Sequence, residues 1–448
     1  MSKNVLIRTF GCQMNVYDSQ VAAGLLEKAG YQVFFEGDNS GEEENLEKNN
    51  SGKADIVLMN TCSVRDHAEN RVWGRLGMLG IEKKKNPDLI IGLMGCMVEE
   101  HREKLFKRFP QLDLMIGTRN IKELPQLIRQ IQEKRQQVSR IKQDGVSIEY
   151  SEFTKRESGF HAWLPIMTGC DKVCTFCIVP KTRGHEVSMS ARDVCSEAKR
   201  LVEDGVKWIT LLGQNVNSYD GGHVSFPQLL GQLCEIDGLE RLSFTTSHPQ
   251  DATEELFQSI ARNPKIGRRL HLPLQSGSDK ILKRMKRLHT YGEYKTRIER
   301  LRELVPDISI TTDIIVGFSG ESDEDYQATK RALEEIRFDG AFIYKYSVRP
   351  GTPASNLPDD VSQTIKAHRN NELLKVQRQV MREKNEMLLG KTFSVFVESL
   401  NPENPKERIG RTDQDKRVYF ESKEADLGSF VKVRLTDLRH ETFRGEKV

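Results

Sequence analysis

The chain has 448 residues, 37% of them hydrophobic and 30% charged, and its net charge of +3 says little about partners. This length predicts two to four domains, and no apolar run approaches a membrane span. Eight cysteines are too sparse for a disulfide framework, and the start Met1-Ser2-Lys3-Asn4-Val5-Leu6-Ile7-Arg8 has no secretory h-region, so a reduced cytoplasmic protein is expected.

The first third alternates strands and helices. Apolar runs Val5 to Phe10, Asp55 to Met59, Leu89 to Met94 and Leu112 to Ile116 read as buried parallel strands. Helices are predicted over Tyr17 to Ala29, Arg65 to Lys84, Val98 to Arg108 and Ile121 to Lys134. This rhythm implies an α/β fold with an open, doubly wound parallel sheet. The acidic segment Glu36 to Lys53 reads as a loose surface loop.

A second series begins near Ala162. Strands are predicted at Leu164 to Met167, Trp208 to Leu212, Arg241 to Phe244, Arg269 to Leu272, Ile308 to Val316 and Ala341 to Tyr346. Among the helices between them is Ala191 to Asp204, with Ser190 and Asp193 spaced as a capping box. Six strands are too few for a closed eight-stranded barrel, so a partial, open (β/α)6 barrel is expected.

From Arg262 to Arg302, 13 Lys/Arg face 3 Asp/Glu. Such a stretch fits either phosphate contact or the solvated faces of helices. A long, polar, basic helix is predicted over Lys366 to Leu389. Short strands follow at Phe393 to Glu398, Arg408 to Arg411, Arg417 to Phe420 and Phe430 to Leu435, which fits a small OB-like all-β barrel. With 12 Lys/Arg against 11 Asp/Glu from Lys391 onward, this tail does not bind by bulk charge, and a structural appendage remains the rival.

Cys170, Cys174 and Cys177 form a Cys-x3-Cys-x2-Cys loop. Three thiolates are one fewer than a [4Fe–4S] cubane needs, and the ligand position left open marks a reactive metal site rather than a closed one. The alternatives are a zinc knuckle completed by a distant His or Cys, or three unrelated thiols, but x3-x2 is not the usual zinc spacing.

Cys12, Cys62 and Cys96 are scattered, yet each lies just past the carboxyl end of a predicted parallel strand. In a doubly wound sheet those ends share one edge, where ligand crevices form, so a second three-cysteine cluster is expected. Gly11 and Gly95 would let the backbone approach a bulky ligand. Three buried free thiols are the alternative. Cys195 and Cys234 read as ordinary helix thiols. His271, at a strand end, fits either a ligand contact or a satisfied interior histidine.

The Cys170/Cys174/Cys177 loop resembles that of the radical S-adenosylmethionine (SAM) enzymes, with Phe176 at the family's aromatic position near the adenine. The upstream triplet points to the methylthiotransferases. Thr9-Phe10-Gly11-Cys12-Gln13-Met14-Asn15, Asn60-Thr61-Cys62-Ser63-Val64-Arg65 and Cys174-Thr175-Phe176-Cys177-Ile178-Val179-Pro180 resemble that family's tRNA branch. So do Leu211 to Tyr219, Thr245-Thr246-Ser247-His248-Pro249, His271 to Ser278 and Arg349 to Ala354. The likeness spans essentially the whole chain. This sequence has Lys181 where the family commonly has Tyr and Met189 where Arg is common, and Asp313 to Glu321 approximates the adenine-contacting glycine-rich motif.

The resemblance implies an N-terminal methylthiotransferase domain over residues 1–135 that holds an auxiliary [4Fe–4S] cluster. It further implies a radical SAM domain over 156–386 and a TRAM domain over 388–448. SAM would serve twice, as methyl donor to sulfur on the auxiliary cluster and as radical source at the Cys170/Cys174/Cys177 cluster. The methylthio group would enter carbon 2 of an isopentenylated adenosine beside a tRNA anticodon. Such a C–H bond offers ordinary acid–base catalysis no acidic proton, and an anticodon-loop base is read by splaying and stacking. Gln214, Asn215 and Gln275, at barrel strand ends, are further candidate SAM contacts. The expected partners are the tRNA anticodon stem-loop, an external electron donor and a sulfur or cluster carrier, with a monomer and no membrane. The rivals are a ribosomal-protein aspartate or a threonylcarbamoyl-adenosine as substrate, and a non-catalytic iron–sulfur or RNA-binding protein, which two open three-cysteine sites argue against.

Overall fold

The computed structural model describes residues 3–36, 54–63, 66–141 and 152–448; beyond Glu36, the expected loop lies outside the described residues. The chain forms two compact units, one of residues 1–157, 168–171 and 178–187, the other of 158–167, 172–177 and 188–448.

The first unit runs β1 (Asn4–Phe10), α1 (Gln13–Lys28), β2 (Gln32–Glu36), β3 (Ile56–Thr61), α2 (Asp66–Lys85), β4 (Ile90–Gly95), α3 (Cys96–His101), α4 (Lys104–Arg108), β5 (Leu114–Ile116), α5 (Leu124–Lys134) and β6 (Val138–Arg140). Its strands are all parallel, in the order β2-β1-β3-β4-β5-β6. Every residue of β3 and β4 is buried, which is why both read as unbroken apolar runs. Val5, Ile7, Ile56 and Leu58 pack with α1 and α5 on one face. Leu6, Val57, Met59 and Ile91 pack with α2, α3 and α4 on the other. The sheet is therefore doubly wound, and its order reverses between β1 and β3, the position where such folds open a ligand crevice.

The helix expected over Val98 to Arg108 is two helices. Arg102 adopts φ 46° and ends α3, and α4 then turns Leu105 into the core beside Met97 and Val98.

β7 (His161–Pro165), β8 (Met167–Thr168), α6 (Val179–Arg183) and β9 (Val187–Ser188) come next, with α6 counted in the first unit. The second unit continues with α7 (Ala191–Glu203), β10 (Trp208–Leu212), α8 (Phe226–Cys234), β11 (Arg241–Phe244), α9 (Glu254–Arg262), β12 (Arg269–His271), α10 (Asp279–Arg284), α11 (Tyr291–Leu304), β13 (Ser309–Val316), α12 (Asp323–Ile336), β14 (Gly340–Lys345) and α13 (Gln363–Glu386). Six parallel strands form two sheets, β11-β10-β7 and β12-β13-β14. A single bridge from Leu242 to Ile266 lies on the stretch between them. This is an open partial barrel. Leu270, Ile310 and Ile314 are fully buried on one face, while His271, Thr311 and Asp313 share the other.

α7 begins as its sequence predicts: Ser190 Oγ accepts from the Asp193 amide at 3.1 Å and donates to its carboxylate at 2.7 Å. α13 is polar as expected but not wholly solvated. Lys366, Arg369, Gln377 and Asn385 are buried, with Lys366 Nζ donating to Tyr346 O and Arg369 paired with Glu321 at 2.7 Å.

The C-terminal strands β15 (Thr392–Leu400), β16 (Glu407–Thr412), β17 (Arg417–Glu421), β18 (Phe430–Arg439) and β19 (Thr442–Lys447) close a barrel in the order β15-β16-β17-β19-β18. Val395, Val397, Val418, Phe420, Val433, Leu435 and Phe443 fill it. The β16–β17 turn pairs Asp413 with Arg241 and Asp415 with Arg269, at the starts of β11 and β12.

Much of the charge between Arg262 and Arg302 is used internally. Arg268 donates to Ile260 O, Arg284 to Ser319, and Arg300 pairs with Glu254 and Glu303. Among the described residues no helix is long and apolar enough to cross a membrane.

Candidate cysteine-bound cofactor sites

Three strand ends bring the scattered cysteines together. The register aligns Phe10 with Thr61 and Thr61 with Gly95, so Cys12, Cys62 and Cys96 follow three adjacent strands at the switch point. Cys12 caps α1 and Cys96 opens α3, positions whose free amides favour thiolate. The Cys12 thiol is held below the ordinary value chiefly by its hydrogen bond with Cys62, aided by the Arg183 charge and the Asn15 and Met14 amides, against burial. Burial pushes the Cys96 thiol up, opposed by the Arg183 charge.

A buried amide network sets this edge. Asn15 Nδ2 donates to Asn60 Oδ1 at 2.9 Å, and Asn60 Nδ2 donates to Asn15 O at 2.7 Å and Ser19 Oγ at 3.0 Å. Gly11 and Gly95 do not face an open crevice, as the sequence led one to expect. A Cβ on Gly11 would fall 2.4 Å from Cys62 Cβ, and one on Gly95 would fall 2.4 Å from Asn60 Oδ1. Gly95 has φ +98°, a left-handed value. These glycines let neighbouring strand ends close on each other, and that closeness gathers the thiols.

The donor set suits a three-thiolate metal centre. Ser63 Oγ, adjacent to Cys62, is buried with no hydrogen-bond partner among the described residues, as at an edge shaped for a further group. Arg183, at the end of α6, pairs with Asp18 at 2.7 Å, both side chains more than nine-tenths buried. Sequence reasoning missed both residues, since a buried ion pair leaves no periodic signature.

In the Cys170–Cys177 loop, Cys170 counts with the first unit and Cys174 and Cys177 with the second. The Cys170 amide donates to Gly184 O at 3.1 Å. Within the second unit, Thr175 N donates to Met285 O, Ala354 N to Thr175 O, and Cys177 N to Cys174 O. Phe176 is half-buried and packs on the cluster of Ile281, Met285, Phe318, Tyr346 and Ala354, to which the segment Asp313 to Glu321 contributes Phe318. Buried Arg287 donates to Cys174 Sγ at 3.2 Å and to Pro273 O at 2.9 Å. His248 Nε2 lies 4.0 Å from the same sulfur, and burial together with the Arg287 charge holds this histidine far below its usual pKa. Arg287 falls in the basic stretch that composition alone assigns to the surface.

The other candidates occupy the carboxyl ends of barrel strands. Asn215 follows β10, donates to Asp251 Oδ2 at 2.8 Å and keeps Oδ1 buried without a partner. Gln275 follows β12 at φ +76°, its backbone held by Asp313 O and Ile315 N, its Oε1 likewise unpartnered. Ser247 Oγ, Arg287 Nε and His289 Nε2 are further buried atoms without partners among the described residues. Several orphaned polar groups at one end of a barrel fit a polar ligand. Gln214 is half-buried beside Asn215. His271 bonds Thr311 at 3.0 Å and lies 3.4 Å from Asp313, a partnered interior histidine. Cys195 and Cys234 are half-buried helix thiols.

Comparison with known proteins adds three family matches: Uncharacterized protein family UPF0004 over residues 4–117, the Radical SAM superfamily over 164–333, and the TRAM domain over 387–448. The chain is 43% identical over 446 residues to the tRNA-2-methylthio-N(6)-dimethylallyladenosine synthase of Dictyoglomus thermophilum, covering 99% of this chain and 98% of that one. It is 42% identical to the synthase of the same name from Thermoanaerobacter pseudethanolicus, covering 99% and 92%. Identity to that of Aeromonas hydrophila is 40%, covering 100% and 92%. Among solved structures, the radical S-adenosylmethionine methyltransferase TsrM of Kitasatospora setae shares the fold with TM-score 0.56 at 15% identity, covering 79% of this chain and 75% of that one.

Proposed function

Since the chain belongs to the family of tRNA-2-methylthio-N(6)-dimethylallyladenosine synthases, we propose that Cys12, Cys62 and Cys96 hold one [4Fe–4S] cluster and Cys170, Cys174 and Cys177 a second. The protein is a radical SAM transferase that places a methylthio group on carbon 2 of isopentenylated adenosine in tRNA. The adenosine is the one beside the anticodon. When bound, the two clusters and SAM supply the electron, the radical and the sulfur carrier that the C–H bond demands. The convergence of Cys12, Cys62 and Cys96 at the β1/β3 switch point carries this reading.

The chain's own residues hold and orient. The Asn15–Asn60 network fixes the loops of the first triplet, and Arg287 donates to Cys174. Asn215, Gln275 and Phe176, with Gln214 alongside, take the polar and adenine portions of SAM. We assign residues 1–135 to the methylthiotransferase domain, 156–386 to the radical SAM domain and 388–448 to the TRAM domain. The anticodon stem-loop is the macromolecular partner. An external electron donor and a sulfur or cluster carrier complete the cycle, with a cytoplasmic monomer as the working form.

The test is mass spectrometry of nucleosides from tRNA incubated with the anaerobically reconstituted enzyme, SAM and a reductant. The expected product is the methylthio derivative of isopentenyl-adenosine. Mass gain on threonylcarbamoyl-adenosine, or on a ribosomal protein with tRNA unmodified, overturns the substrate assignment.

A further inference from the structure

Arg183 occupies a place that a structural ion pair does not explain. α6 ends at Arg183, and Gly184 follows at φ +80°. Arg119 Nη2 donates to Arg183 O at 2.8 Å. A Cβ on Gly184 would fall 2.1 Å from that same Nη2, so the arginine backbone is clamped. Its Nη2 reaches Asp18 Oδ2 at 2.7 Å, with side-chain exposures of 7% and 8%. α6 packs against α3, which Cys96 opens, and Asp18 lies on α1, which Cys12 caps; the guanidinium charge acts on both cysteines.

A buried pair of this kind seldom stabilises a fold against an apolar replacement. Guanidinium carries five donors in a planar fork, and one carboxylate oxygen uses few of them. Three thiolates carry more charge than a [4Fe–4S] core neutralises, and Asp18 adds to the excess in a water-poor setting where charges act strongly. Hydrogen bonds to cluster sulfurs and nearby charge set reduction potential and guest affinity.

We propose that Arg183, clamped by Arg119 and Asp18, is a positioning residue that supplies the cation that lets an anionic sulfur guest, a hydrosulfide or an alkanethiolate, bind at the Cys12/Cys62/Cys96 site. The inference rests on reading that triplet as cluster ligands.

The experiment uses the full chain with Cys170, Cys174 and Cys177 changed to Ala, so that only the first triplet binds iron. Iron content, the midpoint potential followed by electron paramagnetic resonance, and spectral titration with sodium methanethiolate are measured for this parent and with R183Q, R183K or D18N added. The parent should hold about four irons. R183Q should keep them, shift the potential negative and bind methanethiolate about tenfold more weakly. R183K should restore most of both properties, and D18N should shift the potential positive. Merely broken packing would move R183Q and D18N the same way; that outcome, or no shift in R183Q, overturns the proposal. If R183Q holds no iron, full iron and a parent-like potential in R183K uphold the charge role, and iron lost from R183K as well overturns it. A parent without iron refutes the cluster assignment and the proposal with it.

Discussion

Asn60 and Asn15 exchange hydrogen bonds in both directions: Asn15 Nδ2 donates to Asn60 Oδ1, and Asn60 Nδ2 donates to the Asn15 carbonyl. Both residues are fully buried. The exchange ties the end of β3, which leads to Cys62, to the first turn of α1, which follows Cys12. Two cysteines 50 positions apart in sequence are thereby spaced by one pair of amides.

Asn60→Ala removes these bonds and leaves Asn15 Nδ2 with only a 3.3 Å contact to Thr61 O. Leaving buried polar groups unpaired costs about 1–3 kcal/mol each. The expected outcome is a lower urea midpoint for the first unit and reduced iron retention by the first triplet. Both are read on a chain whose Cys170, Cys174 and Cys177 are Ala.

Wild-type chain reconstituted anaerobically should hold about eight irons, and the Cys170/Cys174/Cys177 triple Ala variant about four. Cys12→Ala should abolish sulfur insertion into tRNA while SAM cleavage, followed by chromatography of the nucleoside product, persists. Loss of all iron in the triple variant would disprove independent sites.

Arg241 is almost wholly buried and pairs with Asp413 of the β16–β17 turn. It also lies over the Trp208 and Phe430 rings. Asp413→Ala leaves this cation with only the Arg411 carbonyl as a hydrogen-bond acceptor; with the carboxylate 41% exposed, the cost falls below the roughly 3–5 kcal/mol of a fully buried pair. Limited proteolysis near Leu388 to Lys391 should accelerate, whereas Asp437→Ala, whose exposed pair with Arg439 is worth under about 1 kcal/mol, should leave it unchanged.

His161 has its pKa pushed down to about 4 by burial first and the Arg411 charge second, opposed by Asp415. It bonds Thr210 Oγ1 at 2.9 Å between the Trp163 and Trp208 rings. His289 is likewise lowered to about 4, chiefly by burial. A histidine whose folded pKa is depressed stays neutral while its unfolded counterpart protonates. Stability is therefore intact above the unfolded value near 6.5 and falls as pH drops toward 4, by about 1.4 kcal/mol per pH unit for each group. Urea midpoints measured from pH 7.5 to 4.5 should decline, and His161→Gln should flatten the slope.

Legibility tracked burial. β3 and β4 were readable because parallel strands covered on both faces are continuous apolar runs. The edge strands β2 and β6 were missed because half their surface is exposed and their letters are mixed. β19 was missed for a related reason, since in Thr442–Lys447 only Phe443 is buried. α13 was read as a long, polar, basic helix, and its letters gave no sign that Lys366 lies fully buried with its stem filling the space a Cβ on Gly317 would need. A buried polar residue that finds its partners looks, in sequence, like a surface one.

By itself the sequence determined the chemistry. Six cysteines in two sets of three, one set spaced along a single loop and the other placed after strand-like runs, are local facts that covalent order preserves. Tertiary structure decided what surrounds the sulfurs. That Gly11 and Gly95 press on Cys62 and Asn60, that Arg287 leaves the basic stretch to reach Cys174, and that Arg183 meets Asp18 across 165 positions follow from side-chain packing between segments remote in sequence. Spacing along the chain carries no record of such contacts.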